Sequence, residues 1–146
     1  NKYACWHWIE NSGEVSFMNQ DTLMFFEGKP EALALYQNFA EKLFSEVGQV
    51  QVRVQKTQIA FSNGHNFAFV SFLPVRKAKE RPQHYIVVTF GLGHQVESPR
   101  IDGAVEPYPN RWTHHVLISR EAEIDGELMG WVREAAEFAA RKRRMS

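Results

Sequence analysis

The fold of this chain is decided by residues 48–73, which read GQVQVRVQKTQIAFSNGHNFAFVSFL. Valines alternate with polar residues over 50–54, and this period of two predicts a strand with one apolar and one solvated face. A second strand, around 59–61, runs into Asn63-Gly64, a pair that tolerates the positive φ values of a tight hairpin turn. The return strand, 66–73, is mostly apolar on both faces, so we expect it at the centre of the sheet.

Helical and strand periodicity continue on both sides of this stretch. Over 30–47 apolar residues recur at spacings of three and four, which predicts an amphipathic helix. Further strands are predicted over 85–90 and 112–118, followed by a closing helix over 120–141 with Ser119 as its N-cap. The order predicts an α+β two-layer sandwich: an antiparallel meander of about five strands, with an N-terminal and a C-terminal helix packed on one face.

A length of 146 residues suits a single domain. We expect that domain over 25–146, preceded by an aromatic N-terminal arm over 1–24. The segment 94–110 contains three prolines and is interpreted as a long connection. Connections of this length in compact domains are commonly functional or mobile.

The charges are balanced, with 17 basic and 17 acidic residues and a formal net charge of zero. This balance argues against a surface built as a whole to hold nucleic acid or an anionic membrane. Cys5 is the only cysteine, which excludes an intrachain disulfide and a cysteine-only metal site. No apolar run is long enough to span a bilayer, so we expect a soluble cytoplasmic protein without cofactor or metal.

Polar side chains are predicted at several strand ends. They are Lys56 and Thr57, between the first two strands, and Arg111, Thr113 and His114, at the start of the last strand. Cations beside a hydroxyl and an imidazole can hold a carboxylate or a phosphate. These five residues are our candidate site for an anionic small ligand, bordered by the long connection; ordinary solvation of strand ends explains the same pattern.

His114 and His115 are adjacent on a strand, so their side chains point to opposite faces and do not easily serve one metal ion. His114 shares its face with apolar residues, which favours a core histidine with a satisfied hydrogen bond. The alternative is a hydrolase or transferase that uses His114 as general base, with Arg111 and Lys56 holding an anion. Full burial of His114 and bonding to the backbone alone would remove that base.

Two basic segments leave a third function open, the binding of nucleic acid. The first is the loop with Arg76, Lys77, Lys79 and Arg81, and the second is the tail 141–144. The closing helix begins with acidic residues and ends in these cations, which is also the arrangement that the helix dipole favours. A solvated helix end therefore explains the tail more simply than a nucleic-acid contact does.

Gly126 and Gly130 are four residues apart in the closing helix. Because glycine has no side chain, the pair predicts a close approach of this helix to the sheet, despite the cost of glycine in a helix. A seam between two copies of the chain is the weaker alternative. A homodimer is left open on this ground.

Five short segments together resemble an uncharacterised bacterial family of domains of unknown function. They are residues 26–30 (FEGKP), 56–61 (KTQIAF), 66–70 (NFAFV), 111–114 (RWTH) and 123–128 (EIDGEL). The resemblance covers about 25–140, and members of the family occur alone or as a terminal module of larger proteins, some labelled transport proteins. It implies an α+β domain and no catalytic role. Our leading hypothesis is thus a small binding or interaction module of a bacterial cytoplasm, with an anionic small molecule or a protein as its partner.

Overall fold

The computed structural model describes residues 19–145, with side chains described over 19–141. Its helices are α1 (Gln20–Phe25), α2 (Pro30–Val47) and α3 (Gly126–Met145). Its strands are β1 (Gln51–Val54), β2 (Gln58–Ser62), β3 (Asn66–Ser71), β4 (Ile86–Leu92), β5 (Gly103–Tyr108) and β6 (Arg111–Ile118). Within this part of the chain no helix has the length and apolarity needed to cross a bilayer.

The strands form one antiparallel sheet in the order β1-β2-β3-β4-β6-β5. The chain turns at Lys56 between β1 and β2 and at Asn63 between β2 and β3, so we name the two ends of the sheet the Lys56 end and the Asn63 end. β6 begins at the Asn63 end, where Trp112 pairs with Leu92, the last residue of β4. Because β6 starts at the Asn63 end, its first residues lie beside the last residues of β4 and far from the turn at Lys56.

Helices α2 and α3 pack on the same face of the sheet, as the sequence predicted. Phe61 on β2 contacts Phe39 of α2, with ring centroids 5.8 Å apart, and Phe90 on β4 contacts Trp131 of α3 at 5.8 Å. Ala68 pairs with both Phe61 and Phe90, and residues paired across antiparallel strands point to one face. The α+β class and the two-layer architecture are confirmed.

The segment 94–110 is not one long connection, because β5 forms within it and pairs with β6. The sheet therefore has six strands rather than about five, and β6 lies between β4 and β5, which interrupts the meander. In the sequence, Pro107 made a strand in this segment unexpected, because proline has no amide proton to donate to a neighbouring strand. It lies in an irregular stretch of an edge strand, between Val105 and Tyr108, where a residue without an amide proton is tolerated.

The closing helix begins at Gly126, so the prediction of Ser119 as its N-cap is wrong. The Ser119 N–H donates instead to Glu123 Oε1, at 2.7 Å, within a 3₁₀ turn. The residue before α3, Asp125, accepts a hydrogen bond from the Leu128 N–H at 3.1 Å and thus takes the capping role. The acidic residues over 120–125 suggest the first turn of a helix in the sequence. In the structure, however, Glu123 Oε1 accepts hydrogen bonds from the N–H groups of Ser119 and Arg120, so the helix begins later.

The glycines of α3 do not press against the sheet, contrary to the prediction. A Cβ atom added at Gly126 meets no described atom within 4 Å, and at Gly130 it meets only Arg133 Nη2, at 3.8 Å. Gly126 is exposed and Gly130 half-buried. The close approach of α3 to the sheet therefore does not depend on them.

The predicted aromatic arm, 1–24, lies mostly outside the described residues, and so does Cys5. From Gln20 onward the chain forms α1, whose N-cap Asn19 accepts a hydrogen bond from the Thr22 N–H at 2.9 Å. The division between an arm and a domain at residue 25 stays a prediction.

Candidate functional site

The five residues of the predicted ligand site lie in different places. Lys56 and Thr57 are exposed at the Lys56 end of the sheet, whereas Arg111 begins β6 at the Asn63 end. Thr113 follows on the same face as Arg111, and His114 points to the opposite, helix-covered face. The structure therefore brings Arg111 and Thr113 together and leaves Lys56 and Thr57 at the other end of the sheet.

A cavity of about 240 Å³ opens at the Asn63 end, and we call it the end cleft. Strands β3, β4 and β6, the end of β5 and the last turns of α3 all contribute to its walls. The walls are largely aromatic: Phe67, Phe69, Phe90, Tyr108, Trp112 and Phe138. Apolar walls of this kind bind the body of a small organic molecule by removing it from water.

Arg111 and Thr113 supply polar groups to the end cleft. Arg111 is exposed, and no carboxylate of the described residues forms an ion pair with its guanidinium. Glu106, on the neighbouring strand β5, instead accepts a hydrogen bond from the Asn110 N–H of the β5–β6 turn at 2.9 Å. Arg111 is thus available to pair with an anion brought by a ligand.

The end of α3 adds a second cation beside the end cleft. Asn63 Nδ2 donates to the Ala136 carbonyl at 2.9 Å, which fixes this part of the helix to the β2–β3 turn. The guanidinium of Arg141 lies 5.7 Å from the centre of the Phe138 ring, and Phe138 lines the cleft. Two arginines therefore favour a negative charge at this end of the molecule.

His114 is a core residue, as the sequence favoured, and it is fully buried. Its Nε2 accepts a hydrogen bond from the Val96 N–H at 2.9 Å, so the neutral ring carries its proton on Nδ1. The ring stacks on Phe90 with centroids 5.1 Å apart. Burial lowers the pKa of His114, which keeps the imidazole neutral.

His115 serves the opposite face of the sheet and supports a cleft residue. Its Nδ1 lies 2.8 Å from Thr89 Oγ1, and Thr89 lines the end cleft one strand away. Burial lowers the pKa of His115 as well. The pair fixes the orientation of a hydroxyl that borders the cleft, and the adjacent histidines were the sole indication of this arrangement in the sequence.

The segment 93–102, between β4 and β5, is bound firmly to α3, chiefly through Arg100. Its Nη1 lies 2.9 Å from Asp125 Oδ1 and 3.0 Å from Glu127 Oε1, and its Nη2 donates to the Glu123 carbonyl. Arg100 also lies over the Trp131 ring, at 5.9 Å from its centroid. These contacts make the segment a fixed part of the fold beside the core, a role that its sequence did not indicate.

The cations predicted for nucleic acid lie in the loop between β3 and β4, at the Lys56 end. Arg76 is paired with Asp102, with Nε to Oδ1 at 2.9 Å and Nη2 to Oδ2 at 3.3 Å. Lys77 and Lys79 are exposed, and Arg81 is half-buried. Helix α3 ends at the opposite end of the sheet, so the loop cations and Arg141, the described side chain of the basic tail, do not form one continuous surface.

Among residues 19–145, no group of three or more histidine, cysteine, aspartate or glutamate residues is placed to hold a metal ion. His94 is the histidine most clearly paired with a carboxylate, since its Nε2 lies 2.7 Å from Glu134 Oε2. That contact raises the pKa of His94.

Of the residues that line the end cleft, sequence reasoning predicted Arg111 and Thr113 and missed the others, among them Gly91, Tyr108 and Phe138. Phe138 lies within the predicted closing helix and Tyr108 within the segment interpreted as a long connection, so neither position indicated a site. Gly91 lies just beyond the predicted strand 85–90, whereas β4 continues through it to Leu92. A glycine that continues a strand rich in β-branched residues is the signal by which this site could have been found in the sequence.

The comparison with protein families gives one finding. Residues 24–139 match a family described as Domain of unknown function (DUF5655). No curated protein and no solved structure gives a significant match to the chain. The matched range nearly coincides with the 25–140 over which the sequence showed its resemblance.

Proposed function

Since the chain belongs to the DUF5655 family, whose description assigns no function, we propose one from the end cleft: the domain binds a small organic anion. The observation that carries the proposal is the combination, in one cavity, of aromatic walls with an exposed Arg111 that forms no ion pair with any residue over 19–141. An apolar body would fill the cavity, and a carboxylate or phosphate would pair with the guanidinium.

The size of the cavity supports a small ligand. Its volume of about 240 Å³ lies below the roughly 300 to 1,000 Å³ that drug-sized ligands occupy. A molecule of one or two rings fits this volume, whereas a dinucleotide does not. A charge-assisted hydrogen bond to Arg111 would add about 1.5 to 3 kcal/mol to the burial of the apolar body.

The other two functions are supported less well. A general base must reach the proton that it removes, but His114 is fully buried and its Nε2 already accepts the Val96 N–H. Lys56, the partner proposed with Arg111, stands at the other end of the sheet. For nucleic acid, the exposed Lys77 and Lys79 are likewise remote from the end of α3.

The proposal is tested with 2-naphthoate as an anionic probe and 2-naphthamide as its neutral counterpart, by isothermal titration and thermal shift. We expect the protein to bind the carboxylate more tightly and to be stabilised by it. Arg111→Gln should weaken binding of 2-naphthoate about tenfold or more, since it removes a charged donor. Arg53→Gln, a change at an exposed arginine on β1, is the matched control and should leave binding unchanged.

Three results would contradict the proposal. The first is equal binding of the carboxylate and the amide, since charge would then contribute nothing. The second is an Arg111→Gln variant that binds 2-naphthoate as well as the parent protein does. Absence of binding by any anion, across carboxylates and phosphates, would likewise remove this function.

A further inference from the structure

Gly91 is a glycine that the backbone of the sheet does not require. It lies on β4, between β3 and β6, and pairs with Thr113 in a register that continues unbroken from Ile86 to Leu92. It is not among the glycines with positive φ, and no bulge occurs at its pairing with β6. A glycine inside a central strand lowers stability, because it loses much conformational freedom and packs no side chain.

Packing within the protein does not explain Gly91 either. A Cβ atom added there would find, among the described residues, only the Trp112 carbonyl oxygen, at an ordinary contact distance of 3.8 Å. Gly93 is different, because its added Cβ would lie 3.0 Å from the Phe138 ring. Packing against the described residues therefore accounts for the glycine at 93 and gives no reason for the one at 91.

Gly91 forms part of the wall of the end cleft. It is half-buried, and its missing side chain would stand on the sheet face that carries Thr89, Thr113 and Phe69. Arg111 lies two residues before Thr113 on that same face. The absence of a side chain at Gly91 thus leaves a flat patch of bare backbone between an aromatic ring and an arginine.

We infer that the ligand of the end cleft is a planar aromatic anion, whose ring lies flat against the backbone at Gly91 while its carboxylate or phosphate pairs with Arg111. This inference rests on the proposed function. A flat ring makes van der Waals contact with bare backbone over its whole face, whereas a Cβ atom would hold it away. Phe69 lies on this face of the sheet, and so does Tyr108, which pairs with Arg111. These two aromatic residues then contact the ring at its edge or face, in the geometry that aromatic pairs prefer.

The inference gives Gly91 the role of selecting ligand shape, and shape is what the experiment varies. Binding of 2-naphthoate is compared with binding of decahydro-2-naphthoate, its saturated and thicker counterpart, by isothermal titration. We expect the planar acid to bind at least fivefold more tightly to the parent protein. Gly91→Val should lower affinity for 2-naphthoate at least tenfold, and Gly91→Ala should lower it by a smaller factor.

Stability separates loss of the site from loss of the fold. Because Gly91 carries no strain that a side chain would worsen, Gly91→Ala should raise the melting temperature of the free protein by roughly 2 to 4 °C. Gly103→Ala is the matched control, since Gly103 lies on β5 outside the end cleft and its added Cβ makes an ordinary contact of 3.6 Å with His115. It should leave the affinity for 2-naphthoate unchanged.

The outcomes distinguish this inference from the proposed function. Equal affinity for the planar and the saturated acid, with both lost in Arg111→Gln, overturns the inference and leaves anion binding standing. Gly91→Ala and Gly91→Val proteins that bind 2-naphthoate as the parent does also overturn it. Failure of both acids to bind removes the proposed function itself.

Discussion

At the scale of the residue, His114 illustrates how a titratable side chain becomes a structural one. The strand pattern places it on the helix-covered face, and the Val96 N–H then finds its Nε2 at 2.9 Å. An imidazolium could not accept this bond, because both of its nitrogens would donate. The position therefore requires the neutral ring, and the fully buried site enforces it by desolvation.

A pH dependence of stability follows from this requirement. The pKa of His114 is lowered in the folded protein, so the unfolded chain takes up the proton first as the pH falls below about 6.5. The contribution of neutral His114 is complete above that pH and is lost as the pH falls toward its pKa in the folded protein. Between pH 7 and pH 5 the loss is at most about 2 kcal/mol.

The measurement compares urea unfolding of the parent protein and of His114→Gln, whose amide oxygen can still accept the Val96 N–H. We expect the difference in unfolding free energy between the two proteins to shrink as the pH falls from 7 to 5. His115, whose pKa is also lowered, and His94, whose pKa is raised, are present in both proteins, so their effects cancel. Parallel pH profiles would show that His114 titrates alike in both states.

At the scale of the element, the beginning of α3 is held by Asp125. This side chain accepts the Leu128 N–H at 3.1 Å and lies 2.9 Å from Arg100 Nη1. The capping bond belongs to the helix, whereas the ion pair attaches the segment 93–102 to it. The carboxylate is about half exposed, so solvent weakens the ion pair more than the cap.

We therefore expect Asp125→Ala to lower the unfolding free energy by about 1 kcal/mol, the usual cost of a lost cap. Asp125→Asn keeps an oxygen that can accept the Leu128 N–H and should lose less than half as much. Urea unfolding of the two variants measures the difference. Equal losses would assign the effect to the ion pair with Arg100 instead of the cap.

At the scale of the whole molecule, charge is distributed along the length of the sheet. Exposed lysines of the β3–β4 loop lie at the Lys56 end, and α3 carries Arg141 to the Asn63 end. A helix of 20 residues spans about 30 Å, so these two cationic regions are separated by most of the domain. A formal net charge of zero conceals this separation.

For nucleic acid the separation predicts weak binding. We expect a 20-base-pair duplex in 150 mM salt to show no saturable binding below about 100 µM protein, in fluorescence anisotropy. Phosphate contacts made by both regions at once would give an affinity that falls steeply with salt, with a log–log slope of about −4 or steeper. Such a slope, reduced by Lys77→Gln and Lys79→Gln, would favour the nucleic-acid hypothesis over the binding of a small anion.

The sequence by itself determined most of the elements and their faces, though not β5 or the start of α3. Alternation over 50–54, the Asn63-Gly64 turn and the spacing over 30–47 depend on interactions between near neighbours in the chain, so α2 and the hairpin β2–β3 form as predicted. The burial of His114 followed from the corresponding alternation of faces along the predicted strand 112–118. The resemblance to a family of domains of unknown function was likewise present in short segments, and the match over 24–139 agrees with it.

Only the tertiary structure decided which strand ends meet. Arg111 and Thr113 share a cleft with Phe138 because β6 inserts between β4 and β5, while the turn at Lys56 lies at the far end of the same sheet. Strand order and direction depend on pairings between residues distant in sequence, and local periodicity carries no information about them. The end cleft results from that topology, and the role that we infer for Gly91 depends on its place in the wall of this cleft.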